Sequence, residues 1–537
     1  MKRHAGFRAY AASARPDLRV DVLLFAFVLV LAGYFYNGWG WNQTARYDAI
    51  WAFVEPGPDQ GTVRIDGFLT DVENGINTGD WAHNVEHSPH YYANKAPGTT
   101  LLGIPFYWAL YGAESAAGVD PLEPAPVLVN AYLIHLWVTV LPLGLSALFF
   151  RRVLGHVGVE PRRAVALTVL VYAGTLLLPF STAMWGHTTA AAFVVMALGC
   201  FLGQGRGAWF AAGVLAGFAV LTDYGAGPFA VSLVGLAALR PEMRERIPWV
   251  VAGGAGPCVV FLAYHWVLFG SPFTLASSYS PSEMITERYI LGLFGIPRLA
   301  AFWSLTFSTA RGLFVFMPVL LVAAAGVAYI RRHPRADLGW LALFNVVAAL
   351  LMNMSFNAWQ GGVSAGPRYL ITALPLFGLL LAFVPEGRRG RAAIVGLGAV
   401  SMANMFVIAA VSPMAPDAFR GSSLFFSWAK VLGVLQVDLG LEAPPPPGGP
   451  LSRGSLHIYP TIPFRDWGVP VTGALYERWA SFNLGERLLG LRGTWSLLPV
   501  IGAATALGVA AVRVADVREA VAGPPDSVPE GPEDVAS

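Results

Sequence analysis

Long apolar runs, separated by short polar stretches, fill most of the chain. A membrane-crossing helix needs about 20 apolar residues, with about 17 as a lower limit. Basic residues collect on the cytoplasmic side. Applied together, these rules predict twelve spans, at residues 20–36, 126–150, 164–180, 188–202, 208–221, 226–239, 248–269, 313–330, 338–352, 369–383, 392–411 and 495–512. The arginine clusters 151–152, 162–163, 240–246, 331–335, 388–391 and 513–518 then fall inside, with both termini.

Residues 101–111 are apolar but too short to span, and Glu114, Asp120 and Glu123 follow them. Counting them as a span would invert every arginine cluster, so an interfacial helix in the headgroup layer is expected. The expected fold is an all-α polytopic membrane protein with about 12 transmembrane helices and a large first outer loop carrying interfacial helices. Its parts are a cytoplasmic N-terminus (1–19), a transmembrane domain (20–412) containing the outer loop 37–125, a second large outer loop (413–493), a last transmembrane helix (494–513) and a disordered cytoplasmic tail (514–537). The expected location is the plasma (inner) membrane, crossed many times, with the polar chemistry outside.

Composition agrees: 55% of residues are hydrophobic and only 13% charged, which makes the bilayer the solvent. A net charge of +2, in short clusters between apolar runs, reports topology and gives no nucleic-acid surface. Cys200 and Cys258 lie singly in apolar runs and imply no disulfide framework or thiolate metal site. The basic stretch before residue 20 resembles a signal peptide, but no small-residue cleavage site follows, so the first run is read as an anchor. No phosphate-binding glycine loop followed by Lys and Ser/Thr occurs, which disfavours ATP-driven work.

Polar chemistry is concentrated in the first outer loop. After the first span, Tyr47, Ile50, Trp51 and Val54 share a helical face, which sets Asp48 near the membrane surface as a candidate proton acceptor. Asp66 and Asp80 are further carboxylates, equally compatible with turns. His83, Glu86 and His87 match the spacing of some zinc peptidases, yet Pro89 and the surrounding turn residues argue for a loop, and no metal or other cofactor is expected. Lys95 could simply snorkel towards lipid phosphate or could receive the phosphate of a lipid-borne substrate. His187 and Asp223 lie at outer span ends, where ionisable residues are functional candidates or helix caps. The run 359–369 combines Trp359, three glycines and Arg368, an outer arginine that calls for a negative partner.

These residues carry a resemblance. The run Gly79-Asp80-Trp81, then residues 91–98 (Tyr-Tyr-Ala-Asn-Lys-Ala-Pro-Gly) and Tyr107-Trp108, resembles the first outer loop of family-39-type glycosyltransferases of the GT-C superfamily, such as lipid A aminoarabinose transferases and protein O-mannosyltransferases. The segment 359–370 and the later Asn483-Leu-Gly and Ser496-Leu-Leu-Pro are similar to uncharacterised relatives in that group. The resemblance implies a GT-C-like membrane enzyme that moves a sugar, with inversion, from a polyprenyl-phosphate donor to a hydroxyl of an envelope glycan, lipid or protein on the outer face.

It also implies a carboxylate base just after the first span and a lysine on the lipid phosphate. Lys95 matches the lysine, with Arg368 as its expected companion. The family's carboxylate position falls in 42–46, which has none here; Asp48, one turn on, is the substitute, and Asp66 the second choice. Asn94 stands where the family has a glutamate, which weakens any carried-over metal site. Tyr47, Asp80, Tyr92, His187 and Trp359 are the expected substrate contacts. Two other readings compete: a lipid transporter or flippase, which predicts an inverted repeat that is not visible, and an oligosaccharide ligase or polymerase, which shares the outer site but uses a pyrophosphate-linked glycan.

Overall fold

The computed structural model describes residues 17–38, 40–70, 80–280, 293–362, 364–414, 421–434 and 481–522. The described chain is mostly helical. Five helices are long and apolar enough to cross a membrane: Ala125–Val157, Pro241–Phe269, Ala336–Ser355, Arg388–Val411 and Gly493–Asp516. Four shorter apolar helices accompany them, Gly186–Leu202, Arg206–Thr222, Tyr224–Leu239 and Arg368–Phe383. Large apolar side chains such as Val251, Val259 and Trp266 stay exposed along Pro241–Phe269, the lateral surface of a helical membrane protein.

The twelve expected runs fall on helical segments, of which the five above are long and apolar enough to cross, and three runs are shortened or broken. The first helix, Leu18–Gly33, has only 16 residues and ends in the strand Phe35–Tyr36. The run 164–180 breaks after Gly174, where Thr175 is extended, and resumes as Leu177–Phe180. The run 313–330 breaks at Met317, ahead of Pro318, between the helices Leu313–Phe316 and Val319–Gly326. The 101–111 segment lies within the helix Gly98–Ala116, which is not among the five. The last helix continues to Ala522, through residues expected to belong to the tail. Residues 435–480, including the proline-rich run 443–450, and residues 523–537 lie outside the described residues.

Close approach holds the bundle together where glycines permit it. A Cβ on Gly213 would lie 2.0 Å from the Val250 carbonyl oxygen, and one on Gly253 2.0 Å from that of Phe210. The helices Arg206–Thr222 and Ile247–Phe269 therefore touch backbone to backbone, as small residues allow in membranes.

The arginine clusters gather on one side. Asp21 accepts from Arg151 at 2.7 Å and Arg152 at 2.9 Å. Arg162 pairs with Asp516 at 3.0 Å and Arg163 with Glu386. Arg335 donates to the His156 carbonyl at 2.9 Å, and Arg246 to that of Phe201. On the opposite side, Phe35–Tyr36 pairs antiparallel with Phe482–Asn483. Asn37 bonds Thr182 through its backbone (2.8 Å) and its amide (2.7 Å). The Gln43 amide joins the Asn37 carbonyl to the Met184 N–H. The late motif belongs to this clamp: the Asn483 amide donates to Ser496 Oγ at 3.0 Å, and its oxygen caps Glu486.

Candidate functional site

Two glycine backbones converge on Thr222. A Cβ on Gly98 would lie 2.7 Å from the Thr222 nitrogen, and one on Gly186 2.4 Å from the Thr222 oxygen and 2.9 Å from Arg46 Nη2. Only glycine at 98 and 186 lets the N-termini of the helices Gly98–Ala116 and Gly186–Leu202 come this close. The result is that Lys95, His187, Asp223 and Arg46 are delivered to one place.

Each side chain is then fixed by its own element. Arg46 rides on the helix Trp41–Val54, seated by the Tyr47 hydroxyl on the Ala131 carbonyl (2.8 Å) and by Tyr47 stacking on Trp51. Its Nη1 donates to the Asn42 carbonyl and amide oxygens. The two-residue hairpin Trp81–Ala82/Tyr92–Ala93 sets Asp80 beside Lys95, with Nζ 2.9 Å from Oδ2. Asp223 closes the helix Arg206–Thr222. Its Oδ2 accepts from His187 Nδ1 and from the Thr372 hydroxyl, both at 2.7 Å, and its Oδ1 from the Gly225 N–H at 3.0 Å.

Thr372 stands on the 3-10 turn that Arg368 opens. The Arg368 guanidinium lies over the rings of Trp185 (4.8 Å) and Tyr369 (4.9 Å), and Nη2 donates to the Tyr369 hydroxyl at 3.0 Å. Among the described residues no carboxylate forms a salt bridge with it, so the expected negative partner is replaced by aromatic faces. The glycine loop before it is held by Arg311, which donates to the carbonyls of Gln360, Gly362 and Ser364. Gly361 adopts φ +71°, and a Cβ there would press on Arg368 Nε at 3.0 Å.

The electrostatics are lopsided. Burial draws Arg46 down to about 10, partly offset by Asp80 and Asp223, so it stays charged at neutral pH. Burial and then Arg368 draw Arg311 down to about 10 as well. Burial would raise Asp80, but Lys95 above all, with Arg368 and Asn94, holds it below the usual carboxylate range. Burial would likewise raise Asp223, but His187, Thr372 and Gly225 bring it to about 2. Four cations thus face two ionised carboxylates. Around them the donors Arg46 Nε, Arg368 Nε and Trp185 Nε1 are buried without a hydrogen-bond partner among the described residues. Uncommitted donors beside surplus positive charge, away from water, form a setting that an anion such as a phosphate group satisfies.

Of the residues expected from sequence, Lys95, Asp80, His187 and Arg368 come together here. Others do not. Asp66 accepts from His90 Nδ1 and the Tyr91 N–H, both at 2.8 Å, and anchors the hairpin. Tyr92 packs with Ala82, Phe269 and Ala276, and Tyr47 is in the core. Trp359 packs on Ala301, Leu305 and Met354. Asp48 is fully buried on the helix Trp41–Val54, two residues beyond Arg46 and so about 200° round its axis. His83 and His87 each bond a backbone carbonyl, of Ser88 and Val267, and diverge. No group of three His, Cys, Asp or Glu that could hold a metal occurs among the described residues.

Arg46, Trp185, Arg311, Tyr369 and Thr372 complete the site without having been singled out by sequence. Thr372 lies one turn beyond Arg368, the one spacing signal that could have found it. Compared with known families, curated proteins and solved structures, the chain matches none.

Proposed function

We propose that the chain is a membrane glycosyltransferase that takes a sugar from a polyprenyl-phosphate donor and places it, with inversion, on a hydroxyl of an envelope glycan, lipid or protein. The observation that carries this reading is the buried niche of Arg46, Lys95 and Arg368, with unused donors, at one shared end of the apolar helices. A phosphate there neutralises the charge surplus, while its lipid chain stays in the bilayer. Lys95 and Arg368 hold that phosphate and stabilise the charge that develops as it leaves, the kind of preorganised electrostatics that dominates many enzymic accelerations.

The arginine clusters, gathered at the other end, are the cytoplasmic face by the positive-inside rule, with twelve spans and both termini inside. Nucleotide sugars are cytoplasmic, so an outward-facing site uses a lipid-linked one. The test is transfer of labelled sugar by the purified protein in nanodiscs, from polyprenyl-phosphate and polyprenyl-pyrophosphate donors in parallel. Transfer from the monophosphate supports the reading. Transfer from the pyrophosphate alone favours a ligase, and lipid translocation without any transfer contradicts an enzyme.

A further inference from the structure

We propose that the His187–Asp223 pair is the proton acceptor of this site, with His187 Nε2 taking the proton of the acceptor hydroxyl. This rests on the glycosyl-transfer reading and gives the reaction a base other than Asp48 and Asp66, the carboxylates expected from sequence.

The tautomer follows from the bonds. A carboxylate only accepts, so the contact from Asp223 Oδ2 to His187 Nδ1 places the ring proton on Nδ1. Nε2 of the neutral imidazole then presents its lone pair. That nitrogen is buried without a partner among the described residues, in a residue only 6% exposed. Asp223 is itself fully engaged, by Thr372 and the Gly225 N–H as well as His187, and serves to hold the ring. Histidine, carboxylate and a third orienting group form the arrangement by which a general base is fixed in place.

The location is right for the reaction. The His187 ring meets Tyr369 edge-on, with centroids 5.5 Å apart, and lies 6.3 Å from Trp185. These are the two rings on which the Arg368 guanidinium rests. Base and phosphate-holding cation therefore flank the same pair of aromatic walls. The charged and titratable groups facing His187 are Asp223 from the end of the helix Arg206–Thr222, Arg46 from the helix Trp41–Val54, and Arg368 and Tyr369 from the 3-10 turn. The carboxylates suggested by sequence fit less well: Asp66 is occupied by His90 and Tyr91, and Asp48 is turned away from Arg46.

In the step itself, the acceptor O–H bond breaks and its proton passes to Nε2. The oxygen forms a bond to the anomeric carbon as the bond from that carbon to the phosphate oxygen breaks, and the electron pair leaves on the lipid phosphate. Asp223 stabilises the imidazolium, which returns its proton to the released phosphate or to water.

The test uses the full-length protein in nanodiscs with a labelled polyprenyl-phosphate sugar. His187→Gln is expected to lower kcat about 100-fold or more, with donor affinity within about threefold of wild type. Added imidazole is expected to restore part of the rate to His187→Ala. Asp223→Asn, which reverses the ring's hydrogen-bond preference, is expected to lower kcat without loss of donor binding. If His187→Gln melts early, His187→Asn, whose amide keeps the bond to Asp223, carries the comparison. A His187→Gln enzyme within threefold of an active wild type overturns the base assignment alone. A wild type that transfers no sugar overturns both this assignment and the glycosyl-transfer reading.

Discussion

The two ends of the helix bundle handle buried charge in opposite ways. At the arginine-cluster end the cations meet carboxylates or carbonyls, with Asp21 taking Arg151 and Arg152 and Arg335 bonded to both Asp337 and the His156 carbonyl, although Arg152 Nε and Arg246 Nε have no partner among the described residues. At the Thr222 end Arg46 and Arg368 form no salt bridge with a carboxylate among the described residues, and cations outnumber carboxylates. A buried charge is costly unless paired. On the proposed reading, the first end is completed within the fold and the second by an anionic ligand.

Mutation should separate the two, by binding at one end and by stability at the other. Arg368→Ala removes a half-buried cation from the niche and should weaken binding of a lipid phosphate by about 2 kcal/mol or more, about 30-fold or greater, in a direct titration. Its melting temperature should move little. Asp21→Asn should do the reverse: breaking a buried pair costs about 3–5 kcal/mol, so its melting temperature should fall sharply while the folded fraction binds normally. Equal effects of both variants on binding would erase the distinction.

Gly186→Ala tests the convergence on Thr222. Its Cβ would meet the Thr222 oxygen at 2.4 Å, and such overpacking costs about 1–3 kcal/mol. Both melting temperature and turnover should drop, because His187 is the next residue. Gly256→Ala, which meets nothing within 4 Å, is the control and should leave both unchanged.

Acid sharpens the comparison further. Asp223 titrates at about 2 in the fold, against an ordinary 3.8. A depressed carboxylate contributes stability that is present above its ordinary value and lost as pH falls through the folded value. Wild type should therefore lose melting temperature between about pH 4 and 2 more steeply than Asp223→Asn. The smallest effect is expected for Asp516→Asn, which breaks an exposed pair with Arg162 and should change stability by about 0.5 kcal/mol or less.

The membrane helices were legible because apolar length and arginine placement are properties of the sequence itself. Lys95, Asp80, His187 and Arg368, which the fold brings together, stood out for a related reason, each being an ionisable residue in or beside a loop between apolar runs. The breaks at Thr175 and Met317 were not, since the apolar runs continue through them. Nor was the choice between Arg46 and Asp48: the helix Trp41–Val54 is buried on nearly every side, so its periodicity gives no phase. The pairing of Lys95 with Asp80 depends on a hairpin of two-residue strands, too short to leave an alternating pattern.

The central claim is that the Thr222 end is a phosphate site for a lipid-borne substrate. It is tested most directly by equilibrium binding of polyprenyl phosphate and the matching polyprenol to the protein in nanodiscs. The phosphate should bind at least about 100-fold tighter than the alcohol, as charge-assisted bonds to buried cations require, and Arg368→Ala should remove most of that difference. Equal binding of phosphate and alcohol, or a preference that survives Arg368→Ala unchanged, would contradict it.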